Sequence, residues 1–185
     1  MKFLTEEECR SWCGVHQLEV SADRYLRYGS EHPHCFTIGL DDKPNGIIGL
    51  ADYLVPTWDE IPFEGALLWI REKGVWSDFS EKISAMIVQQ MRLAKGEAAS
   101  VGERPGQLFG PDELLEMHSY FLVPLLFGWD AFLVPQGKSY FCFVSHDGFV
   151  EVVSRSVEGL DQVRQRVIDW NPKEDERWYP KLALH

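Results

Sequence analysis

Apolar residues along this chain fall into two kinds of pattern. Three-and-four spacing marks helices, and short dense runs bounded by turn residues mark strands. The most informative stretch runs from Gly110 to Arg155. Leu114, His118, Phe121 and Leu125 share one face of a helix predicted over residues 111–127. Pro111 suits its first turn, Asp112 and Glu113 suit the positive end of its dipole, and Pro124 is expected to kink or shorten it. Three strand-like runs follow, at 129–134, 139–145 and 149–154, separated by Pro135-Gln136-Gly137-Lys138 and His146-Asp147-Gly148. A glycine at or near the positive-φ position of both turns predicts an antiparallel meander. Such a meander presents one face to water and the other to a core, so helices are expected to cover it.

Upstream, Thr5 and Glu8 have the spacing of a capping box, and Leu4 and Cys9 that of a hydrophobic staple. The helix they open is predicted to stop at Gly14. Residues 21–28 read as a second short helix, capped by Ser21 and ended by Gly29. Cys35 to Leu40 is strand-like, and Pro44-Asn45-Gly46 reads as a turn into the apolar 47–55 run, which gives an N-terminal hairpin. Residues 56–65 read as loop, and 66–71 as a strand or buried segment. Phe79, Ile83, Met86, Ile87 and Met91 form the stripe of an amphipathic helix over 78–95, expected to close over the sheet. The glycine-rich 97–110 stretch reads as a flexible loop. Val157, Leu160, Val163, Val167 and Trp170 mark a last helix, ended by Asn171-Pro172 and followed by a polar tail, 173–185. Together these elements predict one α+β domain over 1–185: an antiparallel meander and a further N-terminal hairpin, covered by amphipathic helices.

Composition narrows the class. Hydrophobic content of 45% and charged content of 25% exclude disorder across the whole chain. The net charge of −11 repels phosphate backbones, which argues against nucleic-acid binding and favours a basic protein partner. Only Phe3 and Leu4 are apolar between Lys2 and the Glu6-Glu7-Glu8 run, and no segment approaches a membrane span. The four cysteines have no disulfide-framework spacing. The expectation is a soluble cytoplasmic protein that does not engage a membrane.

Candidate chemistry is sparse. Cys9, Cys13, His16, His32, His34 and Cys35 supply metal-ligating atoms, but their spacing fits no usual zinc pattern. Cys9 and Cys13 are read instead as an apolar helix face, with no metal or cofactor. Cys142 and His146 lie four apart on a strand and its turn, about 13 Å at strand rise, which is too far for a nucleophile–base pair. His118 reads as a hydrogen-bonded core histidine. The candidate binding residues are Trp58, Asp59 and Glu60 in the proline-rich loop, Trp129 and Asp130 at a helix-to-strand junction, and His146 and Asp147 in a turn. No residue is assigned a catalytic role. These features point to a small acidic binding protein, immunity- or inhibitor-like, acting on a basic macromolecular partner. The alternative is a hydrolase-type enzyme with a cleft near Trp58, Asp59, Glu60, His118 and His146.

Overall fold

The dense apolar runs of the C-terminal half pair as a meander of β7 (Asp130–Pro135), β8 (Tyr140–Ser145) and β9 (Phe149–Ser154). The register puts Phe132 opposite Phe143 and Cys142 opposite Val152. Gly137 and Gly148 take the positive φ that the two turns require. The structure is a computed structural model and describes residues 1–21, 25–28, 34–40, 43–55, 63–72 and 78–174. The helix before the meander, α4 (Leu114–Phe127), runs through Pro124 and ends on Gly128, whose left-handed backbone turns the chain into β7. Pro124 lies so close to the end that its missing N–H costs one bond and leaves the helix its last turn.

The meander is the middle of a wider antiparallel sheet. On one side β5 (Ala66–Glu72) pairs with β7, and β6 (Gly106–Phe109) lies between β5 and β1 (Lys2–Leu4). On the other, β4 (His34–Gly39) pairs with β9, and β10 (Lys173–Glu174) with β4. The order of the eight strands is β1-β6-β5-β7-β8-β9-β4-β10. The 97–110 stretch therefore contributes a strand where loop was expected. Gly106 is required there by close approach, because a Cβ would overlap the Cys9 sulfur and touch Leu4.

Two N-terminal expectations are corrected. Residues 44–54 form a helix, α2 (Pro44–Leu54), not the second strand of a hairpin. Pro44 sits in its first turn, where no backbone donor is missed, and Ile47, Leu50, Ala51 and Leu54 bury one helical face. The N-terminal hairpin is instead built from β2 (Leu18–Val20) and β3 (Leu26–Tyr28), the second of which falls inside the 21–28 stretch read as a short helix. Leu26 and Tyr28 point into the core and Arg27 away from it, which is strand alternation. Before it, α1 (Glu6–Val15) has the predicted capping box, with Thr5 N–H donating to Glu8 and Glu8 N–H to the Thr5 hydroxyl. The helix passes through Gly14, and the left-handed residue that turns the chain is Gln17.

The sheet is covered on both faces, not one. On one side α2, α4 and α5 (Val157–Arg166) bury Leu50, Phe121 and Val163 against Leu68, Leu133, Cys142 and Val152. On the other, α1 and the β2–β3 hairpin bury Cys9, Cys13, Leu26 and Tyr28 against Trp69, Phe132, Phe141 and Phe143. This explains why β8 and β9 are buried at every position: with no water-facing side, polar alternation disappears.

The remaining α-helix, α3 (Asp78–Ala94), is rotated from its predicted stripe, of which Met91 alone among the described side chains still packs on the core. Ser84, Val88 and Arg92 are buried, while Ile83, Met86 and Ile87 are exposed. Arg92 reaches over the Phe3 ring and donates to the Arg104 carbonyl at 2.9 Å. Among the described residues, no helix is long and apolar enough to cross a membrane.

Candidate functional site: an acidic recess at the end of the meander

Asp130 opens β7 just after the left-handed Gly128, so its side chain projects from the end of the sheet. The β8–β9 turn, two strands' length away along the chain, folds back to the same end. His146 N–H donates to Asp130 Oδ1 at 2.8 Å, and His146 Nδ1 lies 2.9 Å from the same oxygen. With its proton on Nδ1 the ring donates to Asp130, and Nε2 lies 3.6 Å from Asp147 Oδ1. The Ser145 hydroxyl accepts from Asp147 N–H at 3.1 Å, which fixes the turn. One histidine thus stands between two carboxylates.

These groups line a recess of about 60 Å³ with Tyr25, Phe143, Phe149 and Glu151. The hairpin supplies Tyr25: its N–H donates to the Ser21 hydroxyl at 3.1 Å, and its ring meets Phe143 edge-on at 5.4 Å. Phe143 also packs on Phe149. The result is a small pocket with aromatic walls and a carboxylate mouth. Its volume leaves room for a few water-sized groups, the scale of an ammonium or guanidinium head.

Of the predicted site residues, Asp130, His146 and Asp147 are brought together here. Trp129 is fully buried in the helix-side core, so it anchors the start of β7 and does not line the recess. Trp58, Asp59 and Glu60 lie outside the described residues. His118 is on the helix layer, with Nε2 2.7 Å from Asp52 Oδ1 but not aligned for a hydrogen bond, and it shares no recess with His146. The aromatic walls and Glu151 were not expected. Their signal in the sequence is positional, since Phe143, Phe149 and Glu151 are hairpin-facing positions of β8 and β9.

The metal-ligand candidates are dispersed. Cys9 and Cys13 are buried in the hairpin-side core, as the apolar reading of that helix face expected. Burial pushes both thiols up, Cys13 to about 12. His16 stacks on Trp12 with ring centroids 3.9 Å apart, His34 is exposed at the start of β4, and His32 lies outside the described residues. Among the described residues, no three metal-ligating side chains converge.

A larger cleft of about 400 Å³ lies beside Glu6, Arg10 and Arg71. Burial opposes ionisation of Glu6, but Arg71, Arg10 and the Trp69 indole N–H all donate to its carboxylate and hold its pKa below the ordinary value. That network ties α1 to β5. Comparison of the chain with protein-family models, curated proteins and solved structures finds no match in any of the three.

Proposed function

We propose that this is a cytoplasmic binding protein for a basic macromolecular partner, and that the recess at Asp130, His146 and Asp147 receives a lysine or arginine side chain of that partner. The observation that carries the proposal is the pairing of a carboxylate mouth with aromatic walls in a space of about 60 Å³. A cation entering it gains attraction to Asp147 and to Asp130, and ring faces for its flanks. The charge balance of the surface supports the same reading. Arg10 and Arg71 rest on Glu6, Arg104 on Glu97, Arg164 on Asp161 and Lys95 on Glu116. Five of the 18 basic residues are thus paired within the protein, and the net charge of −11 sets the sign of the field outside. The cytoplasmic assignment is supported by four free cysteines, a state suited to a reducing compartment.

The test is a titration of isotope-labelled protein with short lysine- and arginine-containing peptides, followed by amide chemical shifts. Saturable shifts are expected at Asp130, His146 and Asp147, weakened about threefold to tenfold by Asp147→Asn and by added salt. Shifts confined to another surface, or unchanged by salt, would remove the proposal.

A further inference from the structure

A second recess opens at the other end of the hairpin, and its charge is opposite. It lies between the α1–β2 corner and the β7–β8 turn, with a volume of about 390 Å³. Its polar walls are His16, Gln17, Lys138, Ser139 and Arg155; among the described residues no carboxylate lines it, and the Glu64 carboxylate lies beside Gly137 of the β7–β8 turn. On a chain with 29 acidic and 18 basic residues, a cavity of this size whose described walls are cationic and neutral calls for a reason.

Arg155 is the centre of this wall. Nη1 donates to Gln17 Oε1 at 2.7 Å, Nη2 donates to the His16 carbonyl at 2.6 Å, and the guanidinium lies over the Tyr28 ring at 4.4 Å. All three partners are neutral. Among the described residues no carboxylate pairs with Arg155, whereas Arg10, Arg71, Arg104 and Arg164 each rest on one. Gln17 adopts a left-handed backbone, φ 61°, without being glycine, a conformation kept only where the surroundings insist on it. Here it turns the chain at the corner from which His16 and Gln17 reach Arg155. A guanidinium has five N–H groups; two are spent on positioning, and the planar fork retains donors for an acceptor. Burial, and then the charge of Arg155, hold the His16 pKa below its ordinary value.

We propose that this cavity binds the oxyanion group of a small acidic molecule, a carboxylate or a phosphate, with Arg155 as the fork and Lys138 and His16 flanking it. The volume is within the range of small-ligand sites. The inference does not depend on the basic-partner proposal, because the two recesses share no residue.

The experiment is a shift-mapped titration with inorganic phosphate and, separately, succinate, at ionic strength held constant with sodium chloride, with glucose as the neutral control. Saturation is expected at Gln17, Lys138, Ser139 and Arg155, with a Kd of about 1 mM or tighter for at least one anion. Phosphate alone saturating identifies a phosphate group, and succinate alone a carboxylate. Lys138→Ala, on a surface turn, should weaken binding about tenfold while leaving the melting temperature unchanged. Arg155→Lys keeps the charge but loses the fork, and should weaken it at least as much. Shifts that stay linear with both anions, or saturation equally tight in Lys138→Ala, would overturn the proposal; if Arg155→Lys fails to fold, the Lys138 variant still decides.

Discussion

Gln107 shows how a single buried amide weighs on this fold. It sits in the middle of β6, opposite Phe3 of β1 and Leu68 of β5, and has no exposure. Neither its Oε1 nor its Nε2 has a protein partner among the described residues. A buried amide without partners costs roughly 1–3 kcal/mol, while its carbon stem contributes as an apolar side chain does. Gln107→Met keeps the volume and removes the amide. It should raise the melting temperature by about 2–4 °C per kcal/mol recovered, measured by calorimetry. A fall in melting temperature would mean that the amide is satisfied by buried water. At the same scale, the acids of the candidate site were legible because junctions and turns leave short polar side chains few other uses. Arg155 was not legible: an arginine after a strand belongs to no motif, and its place is set by the corner it meets.

Elements were legible where local chemistry and burial agreed. The capping box at Thr5 and Glu8, the two glycine turns of the meander and the burial of Leu114, Phe121 and Leu125 on α4 formed as their spacing predicts, whereas His118 on the same face is half-buried beside Asp52 and not a hydrogen-bonded core histidine. They failed where one signal served two structures. Pro44-Asn45-Gly46 is good turn chemistry and equally a good helix start, and only the spacing of Ile47, Leu50, Ala51 and Leu54 separates them. In α3 the periodicity identifies a helix without fixing which side goes in. Its inner side is Ser84, Val88 and Arg92, where a small residue and a long one fit the space over β1 better than three large aliphatic chains. Two substitutions separate the faces. Met86→Gln on the outer face should change stability by no more than about 0.5 kcal/mol, whereas Val88→Asp buries an unpaired charge and should cost several kcal/mol or prevent folding. Comparable effects in chemical denaturation would mean the helix is rotated.

For the molecule as a whole, the charged groups set how stability varies with pH. Hydrogen bonds and charges hold Glu6, Glu8, Glu97, Glu103, Glu113 and Glu116 below the ordinary carboxylate value of 4.5. Their contribution is present above that value and is lost as pH falls through the lower folded values. His16 is also depressed, below 6.5, so the unfolded chain takes up its proton first and acid again favours unfolding. Relief of the acidic self-repulsion acts in the other direction until pH nears 4.9. The melting temperature should therefore change little between pH 8 and about 6, and fall steeply only below about 4.5, where repulsion no longer masks the lost bonds. A fall that is complete by pH 5 would show that these carboxylates do not hold the fold together.

Among the described residues the sheet is bordered by the shortest of its eight strands, β1 with three residues and β10 with two. Each carries a lysine, Lys2 or Lys173, where an unpaired backbone would otherwise invite a foreign strand. Trimming either terminus would therefore do more than shorten the molecule. It would uncover the hydrogen-bonding flank of β6, or of β4 at Phe36 and Thr37, and offer it as a template for self-association.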